Sequence, residues 1–240
     1  MKKVFAIVFS AAALLLGTQA HAQLSFGAGW LNSTEITKYT SGDPDKTNLN
    51  GLYLGGQYNL NVVEGFGVAP GVYFSTLFDR RNNGEAIYGT FKNERETYRE
   101  FSFNIPINLN YTFEFGRDFN LFVYAGPVFQ IAFSSKGSYE ASAGTYEASA
   151  GMGTFVQSTG KYTLNYFDGK LYGPDNKEVG TLFEGGITNP FNIYLGGGVG
   201  IQAGDIQVII GYDHSMLNFA KVKDWSTSRS QIKVGIGFSF

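Results

Sequence analysis

The end of the chain, residues 229–240, alternates strictly between two kinds of side chain. One parity is apolar and consists of Ile232, Val234, Ile236, Phe238 and Phe240. The other is polar or small and consists of Gln231, Lys233, Gly235, Gly237 and Ser239. Because side chains alternate between the faces of a strand, this segment predicts a strand with an apolar wall and a polar wall of little volume. A membrane-facing strand and a strand of a soluble β-sandwich both fit this pattern.

Seven more segments alternate in the same way, and the connections between the eight strands alternate in length. Short turns fall at residues 63–65, 114–118 and 204–205, and long polar connections at residues 34–48, 79–96, 134–190 and 217–228. Outer-membrane barrels have short periplasmic turns and longer extracellular loops, whereas a soluble sandwich predicts no such asymmetry. The sequence therefore predicts an all-β fold, an eight-stranded antiparallel up-and-down transmembrane β-barrel.

The first 22 residues have the composition of an export signal. Lys2 and Lys3 precede an apolar run, and Ala20-His21-Ala22 has the small-x-small pattern of a cleavage site. We expect cleavage after Ala22, which leaves Gln23 as the first residue of a barrel domain spanning residues 23–240. An uncleaved anchor is the alternative, but the run is shorter than the roughly 20 residues that a membrane-spanning helix needs.

Composition excludes several other classes of protein. The chain contains no cysteine, so an exported form is held together by burial and hydrogen bonding alone. Removal of the two N-terminal lysines changes the net charge from −2 to −4 (16 basic against 20 acidic residues), and no basic patch suggests nucleic acid. No later segment is apolar enough for a transmembrane helix, so membrane insertion requires a closed barrel.

The parity of each strand assigns its two faces. The predicted lipid-facing side chains include Trp30, Leu54, Tyr58, Val72, Phe103, Ile107, Val123, Leu195, Val208 and Ile236. Aromatic girdles at the membrane interfaces are predicted from Trp30, Tyr58, Phe66, Tyr111, Phe119, Tyr212 and Phe240. The inward face is rich in Gly, Ser, Asn and Gln and includes Tyr53, Tyr73, Tyr124, Asn104, Asn108 and Asn110. Because side chains can fill an eight-stranded barrel, we expect a polar plug instead of a wide channel.

The last hairpin predicts one ion pair inside the barrel. If Leu217 lies opposite Arg229, then Asp213 lies opposite Lys233, and opposite charges across a ladder attract. A structural pair is the simpler interpretation, because a buried charge needs a partner, and a charge network that gates a small pore is the alternative. Arg229 itself is interpreted as a rim charge. The charged residues between positions 94 and 100 are interpreted as a solvated edge where a loop meets its strand.

Three segments resemble a known family of barrels. Residues 100–111 (EFSFNIPINLNY) resemble the strand with an apolar-Pro-apolar centre in the PorT-like outer-membrane β-barrel family of Bacteroidetes. Residues 211–218 (GYDHSMLN) resemble the penultimate strand of that family, and residues 235–240 (GIGFSF) are similar to its closing strand. The resemblance implies an integral outer-membrane protein, and a few members of the family are linked to protein secretion.

A last strand that ends in Phe is also similar to the C-terminal assembly signal of bacterial outer-membrane barrels. Ile236, Phe238 and Phe240 would form that signal in this chain. The similarity implies that the barrel-assembly machinery is a partner of the exported chain. It also implies that the protein resides in the cell outer membrane, in contact with outer-membrane lipid.

The third long connection, residues 134–190, is the most distinctive loop. Residues 138–144 and 145–151 form a near-identical repeat, which is interpreted as a local duplication or a strand extension, with an exposed binding surface as the alternative. Residues 161–172 alternate on either side of the turn dipeptide Asp168-Gly169 and predict an outward β-hairpin. A ten-stranded barrel that includes this hairpin is the alternative.

The sequence offers no catalytic, cofactor-binding or metal-binding constellation. His214 is the only histidine after residue 22, so a histidine-rich metal site is excluded. Outer-membrane lipid A deacylases carry a strand-borne His and a Ser two positions later, whereas here Ser215 is adjacent to the histidine and Met216 occupies the serine position. We interpret His214 as an interfacial side chain near the outer rim and predict no enzymatic activity.

The predicted function is a structural or surface-interaction role for an integral outer-membrane barrel, with specificity in the extracellular loops. A surface or secretion-system protein is predicted to bind through residues 134–190, and no nucleic-acid partner or cofactor is expected. A narrow porin-like pore for small solutes and a lipid-modifying outer-membrane enzyme are the alternatives.

Overall fold

Antiparallel strands make up most of the protein. The computed structural model describes residues 22–81, 93–116, 118–141, 144–147, 154–157 and 160–240. The strands are β1 (Ala22–Lys38), β2 (Asp45–Val63), β3 (Phe66–Arg81), β4 (Asn93–Glu114), β5 (Phe119–Ala141), β6 (Gly144–Glu147), β7 (Thr154–Gln157), β8 (Gly160–Asn165), β9 (Lys170–Tyr172), β10 (Glu178–Thr181), β11 (Phe191–Ala203), β12 (Ile206–Ser215) and β13 (Ser226–Ser239).

Eight of the strands in this described part close into a ring. The order around the ring is β1-β2-β3-β4-β5-β11-β12-β13, and the first and last strands pair antiparallel along their length. Ala28 on β1, for example, lies opposite Leu54 of β2 and Ile236 of β13. The predicted eight-stranded antiparallel barrel is confirmed. The ten-stranded alternative is wrong, because β8 pairs with the end of β5 and β9 with β8, outside the ring.

The outer wall of the ring is an apolar band. The predicted lipid-facing residues Leu54, Val72, Leu195 and Ile236 are each more than half exposed. Above them, Asn32 and Asn50 form an exposed hydrogen bond of 3.2 Å between β1 and β2, which marks where the band ends. With the backbone hydrogen bonds satisfied inside the closed ring, this surface is that of a barrel that spans the outer membrane.

Aromatic side chains lie at the other border of the band, beside the short turns. Phe66, Tyr111, Phe119 and Phe240 are all exposed there, at the ends of β3, β4, β5 and β13. Each short turn contains a glycine with positive φ, namely Gly65 (φ 72°), Gly116 (φ 114°) and Gly204 (φ 58°). Only glycine adopts this region without steric cost, and the turns fall where the sequence predicts them.

Several strands extend beyond the boundaries that the sequence predicts. β5 continues to Ala141, so the predicted loop of residues 134–190 begins too early, and β3 and β4 run into the predicted loop of residues 79–96. The missed segments are polar on both faces. Outside the bilayer a strand needs backbone pairing but no apolar wall, so alternation disappears although the strand continues.

Two predictions fall largely on residues outside the described ranges. The export signal covers residues 1–22, of which the structure describes only Ala22, the first residue of β1. The sequence repeat includes residues 142–143 and 148–151, which are likewise outside the described part. Both stay predictions.

The predicted hairpin of residues 161–172 is confirmed, because Leu164 of β8 lies opposite Leu171 of β9.

Candidate functional site

A buried ion cluster crosses the extracellular half of the lumen. Arg229 of β13 donates from Nη1 to Glu100 Oε1 at 2.7 Å and from Nη2 to Glu35 Oε2 at 2.8 Å. The side chains of Arg229 and Glu100 are 1% and 4% exposed. Glu35 is the neighbour of Arg229 in the β1–β13 register, but Glu100 is on β4, four strands away around the ring of eight. The guanidinium therefore connects opposite walls of the barrel.

Aromatic and hydroxyl groups enclose this cluster. The Phe219 ring, which comes from the loop before β13, lies 4.4 Å from the Arg229 guanidinium carbon and is almost fully buried. Tyr98 donates a hydrogen bond of 2.7 Å to Glu100 Oε2. A loop side chain thus enters the barrel mouth, and each carboxylate and the guanidinium have partners that compensate for lost hydration.

Further polar groups fill the space beside the cluster. Tyr194 donates to Gln130 Oε1 at 3.2 Å, and the Gln130 amide donates to Ser102 at 3.2 Å. On the β1–β3 wall, by contrast, Leu31, Leu49 and Leu77 form an apolar layer inside the lumen. At this layer the inward face therefore also carries large aliphatic side chains, which the sequence analysis did not name. Their parity would have identified them, because each lies on the inward side of its strand.

Two sequence interpretations are wrong at the ion cluster. Arg229 is not a rim charge, and Glu100 is not part of a solvated edge, because both are buried. Arg99, by contrast, is exposed. The alternation of side chains along the strand would have identified the buried position of Arg229. Arg229 lies on the same, inward side of the strand as Gln231 and Lys233. Arg229 and Glu100 lie close to polar loops in the sequence, and this position suggested that water surrounds them. The strands instead extend beyond the membrane, so the wall of the barrel encloses both side chains.

A second ion pair lies deeper in the lumen. Lys233 Nζ lies 2.6 Å from Asp213 Oδ2, so the structure brings together the two residues that the sequence analysis paired. The assumed register is wrong by two residues, because Lys233 lies opposite Gly211 and Asp213 opposite Gln231. The long lysine side chain reaches its diagonal neighbour across the hairpin. The second carboxylate oxygen of Asp213, Oδ1, is buried without a hydrogen-bond partner.

The periplasmic half of the lumen contains a cavity of about 500 Å³. It reaches from Asp213 and Lys233 to the short turns and is lined by Tyr53, Tyr73 and Tyr124, among other polar side chains. The prediction of a filled interior is therefore wrong for this half. The opposing walls carry glycines, and three rings do not fill the volume that the glycines leave. The tyrosines themselves nevertheless pack closely against the glycine-bearing wall. A β-carbon at Gly211 would overlap the Tyr124 hydroxyl.

Two extracellular loops join to form a cap over the barrel mouth. The cap, residues 160–190 and 217–225, has an apolar core formed by Tyr162, Leu164, Leu171, Leu182 and Ile187. Val222 and Trp225 of the second loop pack against that core. Lys221 donates hydrogen bonds of 3.1 Å to the backbone oxygens of Phe167 and Gly185, which tie the two loops together.

The described residues contain no candidate metal centre. No group of three or more His, Asp and Glu side chains converges there. His214 is exposed on the outer face and lies 2.8 Å from the Ser230 hydroxyl, whereas Ser215 points inward and accepts a hydrogen bond from the Arg229 backbone. The two residues therefore face opposite sides of β12, as expected. No helix in the described ranges is long and apolar enough to cross a membrane.

Comparison with known proteins gives matches to structures only. No family model and no curated relative matches the sequence. The attachment invasion locus protein Ail of Yersinia pestis, solved with the heparin analogue sucrose octasulfate, is 13% identical with a TM-score of 0.42 over 91% of this chain and 99% of that chain. Neisserial surface protein A is 10% identical (TM-score 0.39, 90% and 97%). The outer-membrane protease OmpT of Escherichia coli is 10% identical (TM-score 0.38, 94% and 100%). At such low values the similarity carries no functional information.

Proposed function

We propose that the protein is a non-conducting outer-membrane barrel whose extracellular cap binds a macromolecular partner at the cell surface. The observation that supports this proposal is the closed extracellular half of the lumen. Arg229 connects opposite walls, and Phe219, which belongs to the cap, enters the mouth and packs against the Arg229 guanidinium and Tyr194. A solute that enters from the periplasmic cavity meets this layer of packed side chains.

The cap has the physical properties of a preorganised binding surface. Leu164 is fully buried in a core that belongs to the cap itself, whereas Val179 on β10 is 44% exposed. A loop with its own apolar core keeps one shape, so a partner binds without the cost of ordering a flexible segment. This property favours an interaction role for the cap over a passive connection between strands.

Photo-crosslinking in intact cells tests the interaction. A photoreactive amino acid at Val179 should give a discrete protein adduct. The same substitution at Val199, which is 50% exposed on the lipid-facing wall of β11, should give none. Identical adduct patterns from the two positions, or none from several exposed positions of the cap, would contradict the proposal.

The narrow pore remains the competing function, and the cavity of about 500 Å³ is the observation in its favour. Planar-bilayer recordings separate the two functions. The purified protein should show no steady open current, because the ion cluster and Phe219 block the path. A sustained conductance of the wild-type protein would exclude the closed barrel and support a pore.

Membership in the PorT-like family, recognition by the barrel-assembly machinery and a link to protein secretion are part of the same proposal. The resemblance rests on residues 100–111, 211–218 and 235–240. The ion cluster provides a test of the family membership. PorT-like sequences should carry an acidic residue at the position of Glu100 and a basic residue at the position of Arg229. The proposal assigns no catalytic step to any residue, and the lipid-modifying alternative is tested by lipid A analysis after deletion of the gene.

A further inference from the structure

A groove of about 660 Å³ lies on the outer face of the barrel, just above the lipid-facing band. It is formed where β3, β4 and β5 continue beyond the membrane and β8 joins them. Four basic side chains line the groove, and they are far apart in sequence: Arg80, Arg99, Lys136 and Lys161. Two acidic residues, Asp79 and Glu140, also line it, so basic residues exceed acidic ones by two (4 − 2).

The centre of the groove holds two like charges side by side. Arg99 of β4 and Lys136 of β5 lie directly opposite each other in the register, and both are exposed. In the described part of the chain, neither forms an ion pair with a carboxylate. Like charges directly across a ladder repel, so this arrangement reduces stability unless an anion binds between them.

The lower edge of the groove is aromatic. Phe101 lines the groove and stacks on Phe74 (centroids 6.0 Å apart) and on Phe133 (centroids 6.2 Å apart). Phe103 packs at the same place, 5.3 Å from Phe133. These rings belong to the lipid-facing wall. The groove therefore lies at the level where acyl chains end and headgroups begin.

We infer that this groove binds a phosphorylated glycolipid of the outer leaflet. Arg99 and Lys136 would hold the phosphate, since guanidinium groups bind phosphate in a bidentate manner and ammonium groups add a point charge. The acyl chains would lie on Phe74, Phe101 and Phe133. A free phosphate makes no use of the aromatic edge, and a soluble acidic protein would have to approach within the headgroup layer, so the lipid is the occupant that matches both halves of the site.

Titration with lipid A tests the inference. Native mass spectrometry of the purified, detergent-solubilised protein should show diphosphoryl lipid A bound at least about tenfold more tightly to the wild type than to R99A/K136A, because two charge-assisted contacts are lost. Lipid A without phosphates should bind both proteins equally and weakly. Inorganic phosphate in large excess should not displace the lipid.

The matched control is K177A/K223A, which removes two exposed extracellular charges that do not line the groove. This variant should bind diphosphoryl lipid A like the wild type. R99Q/K136Q, which keeps a polar side chain but removes the charge, should lose affinity as R99A/K136A does, and the heat-dependent gel mobility of each variant reports folding. The inference is wrong if R99A/K136A keeps wild-type affinity, if the control loses as much, if phosphate-free lipid A binds equally well, or if inorganic phosphate alone displaces the lipid.

Discussion

At the scale of single residues, Arg229 is the largest of the fully buried side chains in the described part of the chain. It is 1% exposed and carries a charge that has lost its hydration, so its two carboxylate partners and the Phe219 ring have to compensate. Removal of one partner from such a cluster leaves an uncompensated buried charge, which is costlier than replacement of the whole cluster by neutral groups.

We expect R229A to lose about 3–5 kcal/mol of unfolding free energy, because Glu35 and Glu100 then face each other without a cation. Urea unfolding in phospholipid vesicles, followed by tryptophan fluorescence, measures this loss. The exposed R99A is the control and should change stability by no more than about 0.5 kcal/mol. The neutral variant R229M/E35Q/E100Q should recover most of the loss. Equal stability of R229A and R99A would show that the cluster contributes nothing.

At the scale of elements, the cap has an apolar core of its own around Leu164, and it is joined to the barrel through Phe219, which packs with Val128 and Tyr194. The core of the cap centres on Leu164, which is completely buried, whereas the barrel depends on its closed hydrogen-bond ring. A core of its own allows the cap to open while the barrel remains folded.

L164A should therefore destabilise the cap by about 2–5 kcal/mol and leave the barrel intact. Hydrogen exchange with mass spectrometry should show faster exchange in residues 160–190, with unchanged protection in β1, β2 and β13. V179A, which alters an exposed side chain of the same cap, should have almost no effect. Equal acceleration in the barrel strands would mean that the cap and barrel unfold as one unit.

The strands also show which parts of the fold the alternation of apolar and polar residues can predict. Alternation predicted every strand of the ring and the face of residues such as Leu54 and Tyr124, because lipid on one side and a narrow lumen on the other impose opposite chemistry. It did not predict β5 beyond position 134, where water contacts the outer face and the constraint ends. The partners of Arg229 were also hidden, because Glu100 meets it only after eight strands have curved into a ring.

At the scale of the whole molecule, closure depends on the pairing between β1 and β13. Thr34 and Ser230 are opposite each other in this pairing, outside the lipid band. The chain has no cysteine of its own, so engineered cysteines report this contact without interference.

T34C/S230C should form a disulfide in the folded protein, because directly opposed residues have Cα atoms about 4.5–5.5 Å apart, within the range for disulfides. A shift in mobility on a non-reducing denaturing gel, reversed by a reductant, measures it. T34C/S226C is the control, since Ser226 pairs with Lys38, four residues along the strand. Crosslinking of the control but not of the opposed pair would refute the register of the seam.

The position of Glu100 opposite Arg229 has a consequence for biogenesis. The guanidinium is on β13, whereas both carboxylates are on β1 and β4, which precede it in the chain. Until β13 pairs with β1, the two carboxylates therefore have no guanidinium partner. Their charge is neutralised in the same step that closes the ring. We expect a variant truncated before β13 to leave the ring open, with Glu35 and Glu100 without their cation.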